Sequence, residues 1–292
     1  MVSFRSADKQ AAFIMKQLQG TVLKSVGTVR NYEQSLTRVG EYVKAQRLGD
    51  LRGLTPELAV DYLDSRSLEV GQKTLDMERQ AIQCMLLHVT GKLDPDERLP
   101  VIKSEHEQIL ASRAYTPQQV QLVAGRQAAH HALATELAHH AGLRAHELLT
   151  LRPLAERPAD ARPALASKFQ GRDGTRYTVH GKGGLTREVR LSRALTERLE
   201  ARRLEAPITV TDRNIRYQQY YALGGGRLWS NSYSAASART LGWSTGGHGL
   251  RHSYAQERMD ELQQSLPYEQ ALETVSQEMG HFRPDITEVY LR

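Results

Sequence analysis

Apolar positions recur at helical spacing through the first hundred residues. Tyr32, Leu36, Val39 and Val43 follow one another at steps of 4, 3 and 4, which predicts one face of a helix over about 27–46. Leu54-Thr55-Pro56 opens the next helix, with Thr55 as N-cap and Pro56 in the first turn, and it carries Leu58, Tyr62 and Leu63 inward. A third follows Gly71, with Leu75, Ile82, Met85, Leu86 and Val89 on one face. An earlier helix at about 5–19 completes a small bundle. Such stripes are core.

The pattern then breaks. GKLDPDERLPVIKSEHEQ (91–108) holds two prolines, many charges and little periodicity, which places a linker near 92–113. Tyr115-Thr116-Pro117 repeats the Thr-Pro start signal. The domains are therefore drawn as an N-terminal helical bundle at 1–100, a linker at 101–114 and a second domain at 115–292. Within the second domain the stretch RYTVHGKGGLTREVRLS changes to a period of two. Tyr177 and Val179 alternate with polar neighbours, Gly181 to Gly184 make a tight turn, and Val189 and Leu191 alternate on the return. That is a β-hairpin in an otherwise helical domain. Helix is expected again over about 193–204, while 208–247, with GGG at 224–226 and several Ser and Tyr, is ambiguous. The fold class is mainly α with a small β-hairpin, built as two domains.

Composition narrows the picture. At 292 residues the chain is long enough for two cores, and 40% hydrophobic with 25% charged is ordinary for a globular protein. No apolar run approaches a membrane span, and AAFIM is too short for a signal-peptide core, so the expected location is cytoplasmic. One cysteine, Cys84, excludes an internal disulfide and a cysteine-based zinc site; its apolar setting predicts a buried, inert thiol. The net charge of +6 favours a polyanionic partner. Residues 1–104 carry 15 Lys/Arg against 13 Asp/Glu and the remainder 24 against 20, so the excess is not confined to a tail. Beyond residue 104, lysine occurs only at Lys168 and Lys182. Arginine, whose planar fork suits phosphate oxygens, supplies the other cations there.

The chemistry is concentrated at the end of the chain. HGLRH at 248–252, GH at 280–281 and Tyr290 bring imidazoles, a guanidinium and a phenol into one short stretch. Tyrosine can act as a covalent nucleophile, but a free phenol is only about 0.1% ionised at neutral pH. Cations to hold a phosphate and partners to move protons are needed. Arg144, expected at a helix start just after Gly142 in HAGLRAHELLTL, and Lys182 at the hairpin tip supply candidates. The six groups run in the order Arg144, Lys182, His248, Arg251, His281, Tyr290. Singly each has an ordinary explanation as a surface or turn residue; those explanations do not predict the order. His130, His131, His139, His140 and His146 with Glu147 invite a metal reading, but they lack an HExxH arrangement and the paired histidines point to different helix faces.

These fragments resemble the tyrosine recombinases, the phage-type integrases, over most of the chain. GLRAHELL is similar to that family's first arginine motif, HGKGGLTREV to its hairpin lysine, HGLRHSYA to its His-x-x-Arg motif, and MGHFRPDITEVY to its last histidine and nucleophile. The first hundred residues are similar, less specifically, to its SAM-like core-binding domain, which clamps DNA opposite the catalytic domain. The resemblance implies a catalytic set of Arg144, Lys182, His248, Arg251, His281 and Tyr290. Arg144 and Arg251 hold the scissile phosphate, with donors of this kind typically worth about 10²–10³ in rate. Tyr290 attacks to give a 3′-phosphotyrosyl bond, Lys182 protonates the leaving 5′-oxygen, His248 is the tyrosine's acid–base partner, and His281 donates to the phosphate. Glu147 braces the first arginine, and His252 stands behind Arg251. No cofactor and no metal are implied.

The expected partners are double-stranded DNA sites, further copies of the chain in a homotetramer on synapsed DNA, and an accessory DNA-bending or directionality protein. The expected function is site-specific recombination, integrating or excising a mobile element. A type IB-like topoisomerase and a non-cutting DNA-binding protein on the same scaffold are the alternatives. Three departures stand out. Position 249 is Gly where relatives often carry an acidic residue; Arg251 to His281 spans 30 residues, longer than usual, with the extra length expected in 260–272; and Tyr290 stands two residues from Arg292, without the tail by which many relatives dock on a neighbour.

Overall fold

The computed structural model describes residues 5–107 and 110–292, apart from the side chain of Lys182. The chain forms two compact units, residues 1–109 and 110–292.

The first unit is the expected bundle. Helices α1 (Ala7–Leu18), α2 (Val26–Ala45), α3 (Pro56–Ser67) and α4 (Gln72–Met85) follow in order, and α4 ends in a π-helical turn, Leu86–Thr90. Thr55 caps α3 by accepting from the backbone N–H of Leu58. Leu36, Val39 and Val43 of α2 meet Ile14, Leu63, Leu75 and Ile82 in one apolar core. One charge lies inside it. Glu78 is fully buried and accepts from the Tyr62 hydroxyl at 2.8 Å and from Arg66 Nε at 3.1 Å. Cys84 is half-buried against this core rather than enclosed by it, and its thiol is pushed up by burial.

The second unit opens with α5 (Pro117–Ala124), whose Thr116 and Gln119 form a reciprocal capping box. Helix α6 (Ala129–Ala141) leads to the short β1 (Arg152–Pro153) and the hairpin β2 (Thr175–His180) and β3 (Thr186–Leu191). The three strands pair antiparallel in the order β1-β2-β3. Tyr177, Val179, Val189 and Leu191 are all buried, as their alternation predicts. Thr178 is buried too, because Arg157 from the preceding loop donates to its hydroxyl at 3.0 Å and covers the opposite face.

The stretch that follows departs from expectation. Helix α7 (Arg193–Glu200) stops four residues short of the predicted end. The chain then builds a second hairpin, β4 (Arg203–Asp212) and β5 (Ile215–Tyr221), before α8 (Gly226–Leu241). Helices α9 (Gly249–Leu262), α10 (Tyr268–Met279) and the short α11 (Pro284–Glu288) complete the unit. Trp229 and Tyr233 of α8 join Leu133 and Leu137 of α6 and the β2–β3 residues in one core. Tyr254, Met259, Leu272, Val275 and Met279 form a second core that also takes in Tyr290. Among the described residues no helix is long and apolar enough to cross a membrane.

Candidate active site

The turn after α6 builds the first part of the site. Gly142 ends the helix at φ 57°, the left-handed region that suits a residue without Cβ. Arg144 therefore lies in a turn leading to a 3₁₀ turn at Glu147–Leu149, rather than at the start of a helix. Glu147 is fully buried. Its Oε1 accepts from Arg144 Nη1 at 2.7 Å, and its Oε2 accepts from the Arg144 backbone N–H at 2.8 Å. The same Oε2 accepts from Arg187 Nη2 at 2.7 Å. Burial alone would push the Glu147 carboxyl up, but the guanidinium groups of Arg187, Arg251 and Arg144 hold it well below the usual carboxylate range.

Arg187 was not singled out in the sequence. It lies on β3 and is 4% exposed. Its Nη1 donates to the Glu278 carbonyl at 2.7 Å and its Nη2 to the Gly142 carbonyl at 3.2 Å. A signal was present. Residues 187, 189 and 191 share one strand parity, so Arg187 occupies a core position beside Val189 and Leu191. An arginine there requires a buried counter-charge, and Glu147 is that charge.

Arg251 comes from the first turn of α9 and is completely buried. Its Nη1 donates to the Gly142 carbonyl, its Nη2 to the Met279 carbonyl at 3.4 Å and to His281 Nε2 at 2.9 Å. Its Nε finds no hydrogen-bond partner among the described residues. Burial, reinforced by the charge of Arg144, lowers its pKa to about 10, so it stays cationic at neutral pH. The start of α9 also explains Gly249. A Cβ there would lie 2.4 Å from the Arg113 carbonyl and 2.5 Å from the Tyr115 ring, so no acidic side chain fits.

Because guanidinium groups only donate, His281 Nε2 is the acceptor of the Arg251 bond. The proton of the neutral ring then sits on Nδ1, which donates to the Thr287 hydroxyl at 3.1 Å. Burial, then the charges of Arg251, Arg144 and Arg187, push the His281 pKa down to about 3. In this arrangement His281 accepts from an arginine. To donate to an anion it must first change tautomer or gain a proton, and an arriving phosphate favours that change by offering Arg251 a better acceptor.

Tyr290 closes the group. Its backbone N–H donates to the Thr287 carbonyl at 2.9 Å, and Gln256 Nε2 donates to its carbonyl at 3.3 Å. The residue is 9% exposed, and its ring centroid lies 4.8 Å from that of His252, 5.0 Å from His281 and 5.3 Å from His248. The Arg251 guanidinium carbon lies 5.4 Å from the ring centroid. His248, the N-cap of α9, keeps an exposed edge; desolvation of the rest of the ring and the charge of Arg251 push its pKa down. His252 is buried, and burial followed by the charge of Arg113 lowers it to about 4. Of the six residues expected from the sequence, Arg144, His248, Arg251, His281 and Tyr290 are thus linked by direct bonds or ring contacts, with Glu147 and Gly142 as hubs. The side chain of Lys182 lies outside the described residues; its backbone belongs to the turn between β2 and β3.

The electrostatic balance follows. Arg144 and Arg187 bond one carboxylate, Glu147, whose charge also acts on Arg251 without a direct bond. The nearby Glu278 is already occupied by Arg258 Nη2 and the Tyr254 hydroxyl, both at 2.8 Å. With the three imidazoles neutral, the cluster holds uncompensated positive charge and an unpartnered guanidinium N–H. Such a cluster favours an anion, and a phenol lies against it. Among the described residues no three His, Cys, Asp or Glu side chains are grouped to hold a metal ion.

Two expected results arise here. Gly142→Ala should destabilise the protein by about 1–3 kcal/mol. A Cβ at φ 57° would sit 2.7 Å from the Tyr254 ring and displace the carbonyl on which Arg187 and Arg251 meet. Chemical denaturation measures it, and an unchanged midpoint would count against the hub. The second concerns pH. His281 and His252 titrate near 3 and 4 in the folded chain, below the ordinary 6.5, so between these limits the unfolded chain binds more protons. Their contribution is fully present above about pH 6.5 and is lost as pH falls toward 4. The urea midpoint should therefore drop between pH 7 and 5; a midpoint that rises on acidification would contradict these environments.

Comparison with known proteins bears on the fold. No protein-family model and no curated relative matches the sequence. Solved structures do. A dimer of lambda integrase (75–356) bound to a COC′ core site matches with TM-score 0.61 and 16% identity, over 97% of this chain and 94% of that one. The XerH site-specific recombinase, in a post-cleavage complex with palindromic difH substrate, matches with TM-score 0.59 and 13% identity, over 98% and 90%. The Tn1549 transposon integrase in complex with transposon right-end DNA matches with TM-score 0.57 and 13% identity, over 99% and 95%. At these identities the likeness is one of fold, and across nearly its whole length the chain has the fold of the tyrosine recombinases.

Proposed function

We propose that the protein is a tyrosine-type site-specific DNA recombinase, which cleaves and rejoins duplex DNA through a 3′-phosphotyrosyl intermediate. The observation that carries the reading is the placement of the Tyr290 ring against Arg251, a buried guanidinium with an unpartnered Nε, inside a cluster of three arginines and one carboxylate. A phosphodiester has the charge and the oxygens this cluster lacks. Arg144 and Arg251 hold its non-bridging oxygens, where charge builds as the phosphorus becomes five-coordinate. Tyr290 Oη forms the new P–O bond, its proton passing to His248, and the bond to the 5′-oxygen breaks. That oxygen takes a proton from Lys182. His281 adds a hydrogen bond to the phosphate once its tautomer has changed. The phosphodiester's energy is kept in the protein–DNA bond, so a 5′-hydroxyl from another strand can reverse the step without ATP.

Arg251 is fully buried, with the tyrosine ring over it, so phosphate reaches it only when that ring moves. DNA binding and placement of the nucleophile are therefore coupled. Solved proteins of this fold include a lambda integrase tetramer bound to a Holliday junction. By analogy we assign to this chain a tetramer on two synapsed duplexes, with an accessory DNA-bending protein as a further partner, and the integration or excision of a mobile element as its task.

The test is a nicked duplex taken from the junctions that flank the encoding gene, incubated with the protein in chelator and resolved in SDS. An SDS-resistant protein–DNA adduct is expected, and paired sites should yield exchanged products. Absence of adduct with every junction duplex would overturn the reading, and adduct without exchange from paired sites would make the protein a topoisomerase.

A further inference from the structure

We propose that the outer face of the β4–β5 ribbon is a base-reading surface that enters the major groove of DNA beside the cleavage point. The inference rests on the reading that duplex DNA is the substrate, and it concerns a segment to which none of the catalytic roles falls.

The ribbon is a two-stranded sheet of its own. Its register pairs Thr209 with Gln218, Val210 with Tyr217, Thr211 with Arg216 and Asp212 with Ile215. Alternation along the strands therefore divides the side chains between two faces. Asp212, Tyr217 and Gln219 lie on the inner face, where Asp212 and Gln219 are buried. Thr209, Thr211, Arg216 and Gln218 lie on the outer face, and all four are exposed. The connecting turn, Arg213-Asn214, adds two more exposed polar side chains; both residues adopt positive φ, 50° and 65°, as a tight two-residue hairpin turn requires.

A strand face normally packs against something, whereas the four side chains of this one are all exposed among the described residues. Its chemistry points to one partner. Arginine reads guanine, glutamine and asparagine read adenine, and threonine contacts the thymine methyl group or donates to base edges. Along the paired residues 208–212 and 215–219 the single carboxylate is Asp212, which faces inward and accepts from the Arg227 backbone N–H at 2.8 Å. Neither Arg213 nor Arg216 has an ion-pair partner among the described residues. The face is therefore cationic and rich in hydrogen-bonding groups, without the apolar centre expected of a protein interface. A two-stranded ribbon also has the width that the major groove, about 12 Å across, admits.

Its attachment fixes where it would read. The Tyr217 ring lies 6.3 Å from the His146 ring, and Gly226 N donates to the Ala145 carbonyl at 2.7 Å. The turn end of the ribbon is thus tied to the segment that carries Arg144 and Glu147. DNA with its scissile phosphate on Arg144 brings its groove within reach of the ribbon inside about one helical turn, roughly 10 base pairs.

The experiment is selection of bound duplexes from a randomised pool of about 40 base pairs, using the full chain and the double variant Arg216→Ala/Gln218→Ala. The thermal midpoints of the two are compared first, because exposed side chains of this kind affect folding little. The wild type is expected to enrich a defined motif. The variant should lose preference at a short contiguous block within one helical turn of the cleavage point, by about ten- to a hundredfold per position. Its affinity for mixed-sequence duplex should stay within a few-fold, and adduct formation should persist. An unchanged motif in the variant would overturn the proposal while leaving the recombinase reading intact. So would uniform weakening with a shallower salt dependence, which marks a phosphate contact only, or a change confined to self-association, which marks a protein interface. A wild type that binds no duplex would remove both readings.

Discussion

Tyr290→Phe should abolish the covalent adduct, lowering cleavage of the nicked duplex by about four orders of magnitude or more, while the protein folds and binds DNA as before. The size follows from the proposed role of Tyr290 as the nucleophile, which no neighbour replaces. The selectivity follows from the packing. The side-chain contacts that hold Tyr290 are made by its ring, with the centroids of His252, His281 and His248 all between 4.8 and 5.3 Å from its own, and its other bonds are made by the backbone. The hydroxyl makes no hydrogen bond among the described residues, so deleting it should change stability by no more than about 0.5 kcal/mol. Phenylalanine keeps the ring, its contact with Arg251 and the coupling to Thr287. Loss of adduct with intact binding would therefore report chemistry rather than misfolding. An adduct that survives the substitution would move the nucleophile to another residue. A variant that fails to bind would show that the phenol belongs to the DNA interface.

The parts of this site that were legible in the sequence are those with a local pattern. The β2–β3 hairpin was readable because Tyr177, Val179, Val189 and Leu191 alternate with polar residues over a buried face. The order of Arg144, His248, Arg251, His281 and Tyr290 was readable because each lies in a short recognisable run. Arg187 is inconspicuous in the sequence because a charged residue in a hairpin is usually solvated, and only the parity of its strand marks it as interior. The β4–β5 ribbon carries only a short alternation, Ile208-Thr209-Val210-Thr211 and Ile215-Arg216-Tyr217-Gln218, which the irregular run before it in β4 obscures, and Ile208 and Ile215 stay exposed rather than marking a core face. The end of α7 was overrun for a related reason. Leu195 and Leu199 set a helical spacing, and nothing before Pro207 breaks it; the helix ends at Glu200 because the next residues pair with β5, where Arg203 lies opposite Tyr221. Long-range pairing decided that boundary. The proton position on His281 is a tertiary fact as well, set by a guanidinium 30 residues away.

Glu147→Ala should carry the largest cost in stability, about 3–5 kcal/mol, because it strips the counter-charge from a buried arginine. Arg187 is 4% exposed and could not reach water, and Arg144 would lose the acceptor that fixes its side chain and its backbone N–H. The pH dependence has a definite sign. The carboxyl is held well below its ordinary range in the folded chain, so its contribution is fully present above about pH 4.5 and is lost as pH falls toward the depressed value. Stability and positioning can be separated by replacing both partners. Glu147→Leu/Arg187→Met removes the charges together, and apolar groups of similar volume often restore what a single deletion takes away. The double variant is therefore expected to recover most of the urea midpoint lost by Glu147→Ala. It should still cleave poorly, because Arg144 is no longer oriented and the Gly142 carbonyl loses one of the two guanidinium groups that fix it. Recovery of cleavage together with stability would show that the ion pair only holds the fold. Recovery of stability alone would make Glu147 and Arg187 positioning residues for the phosphate site, acting through Arg144 and Arg251.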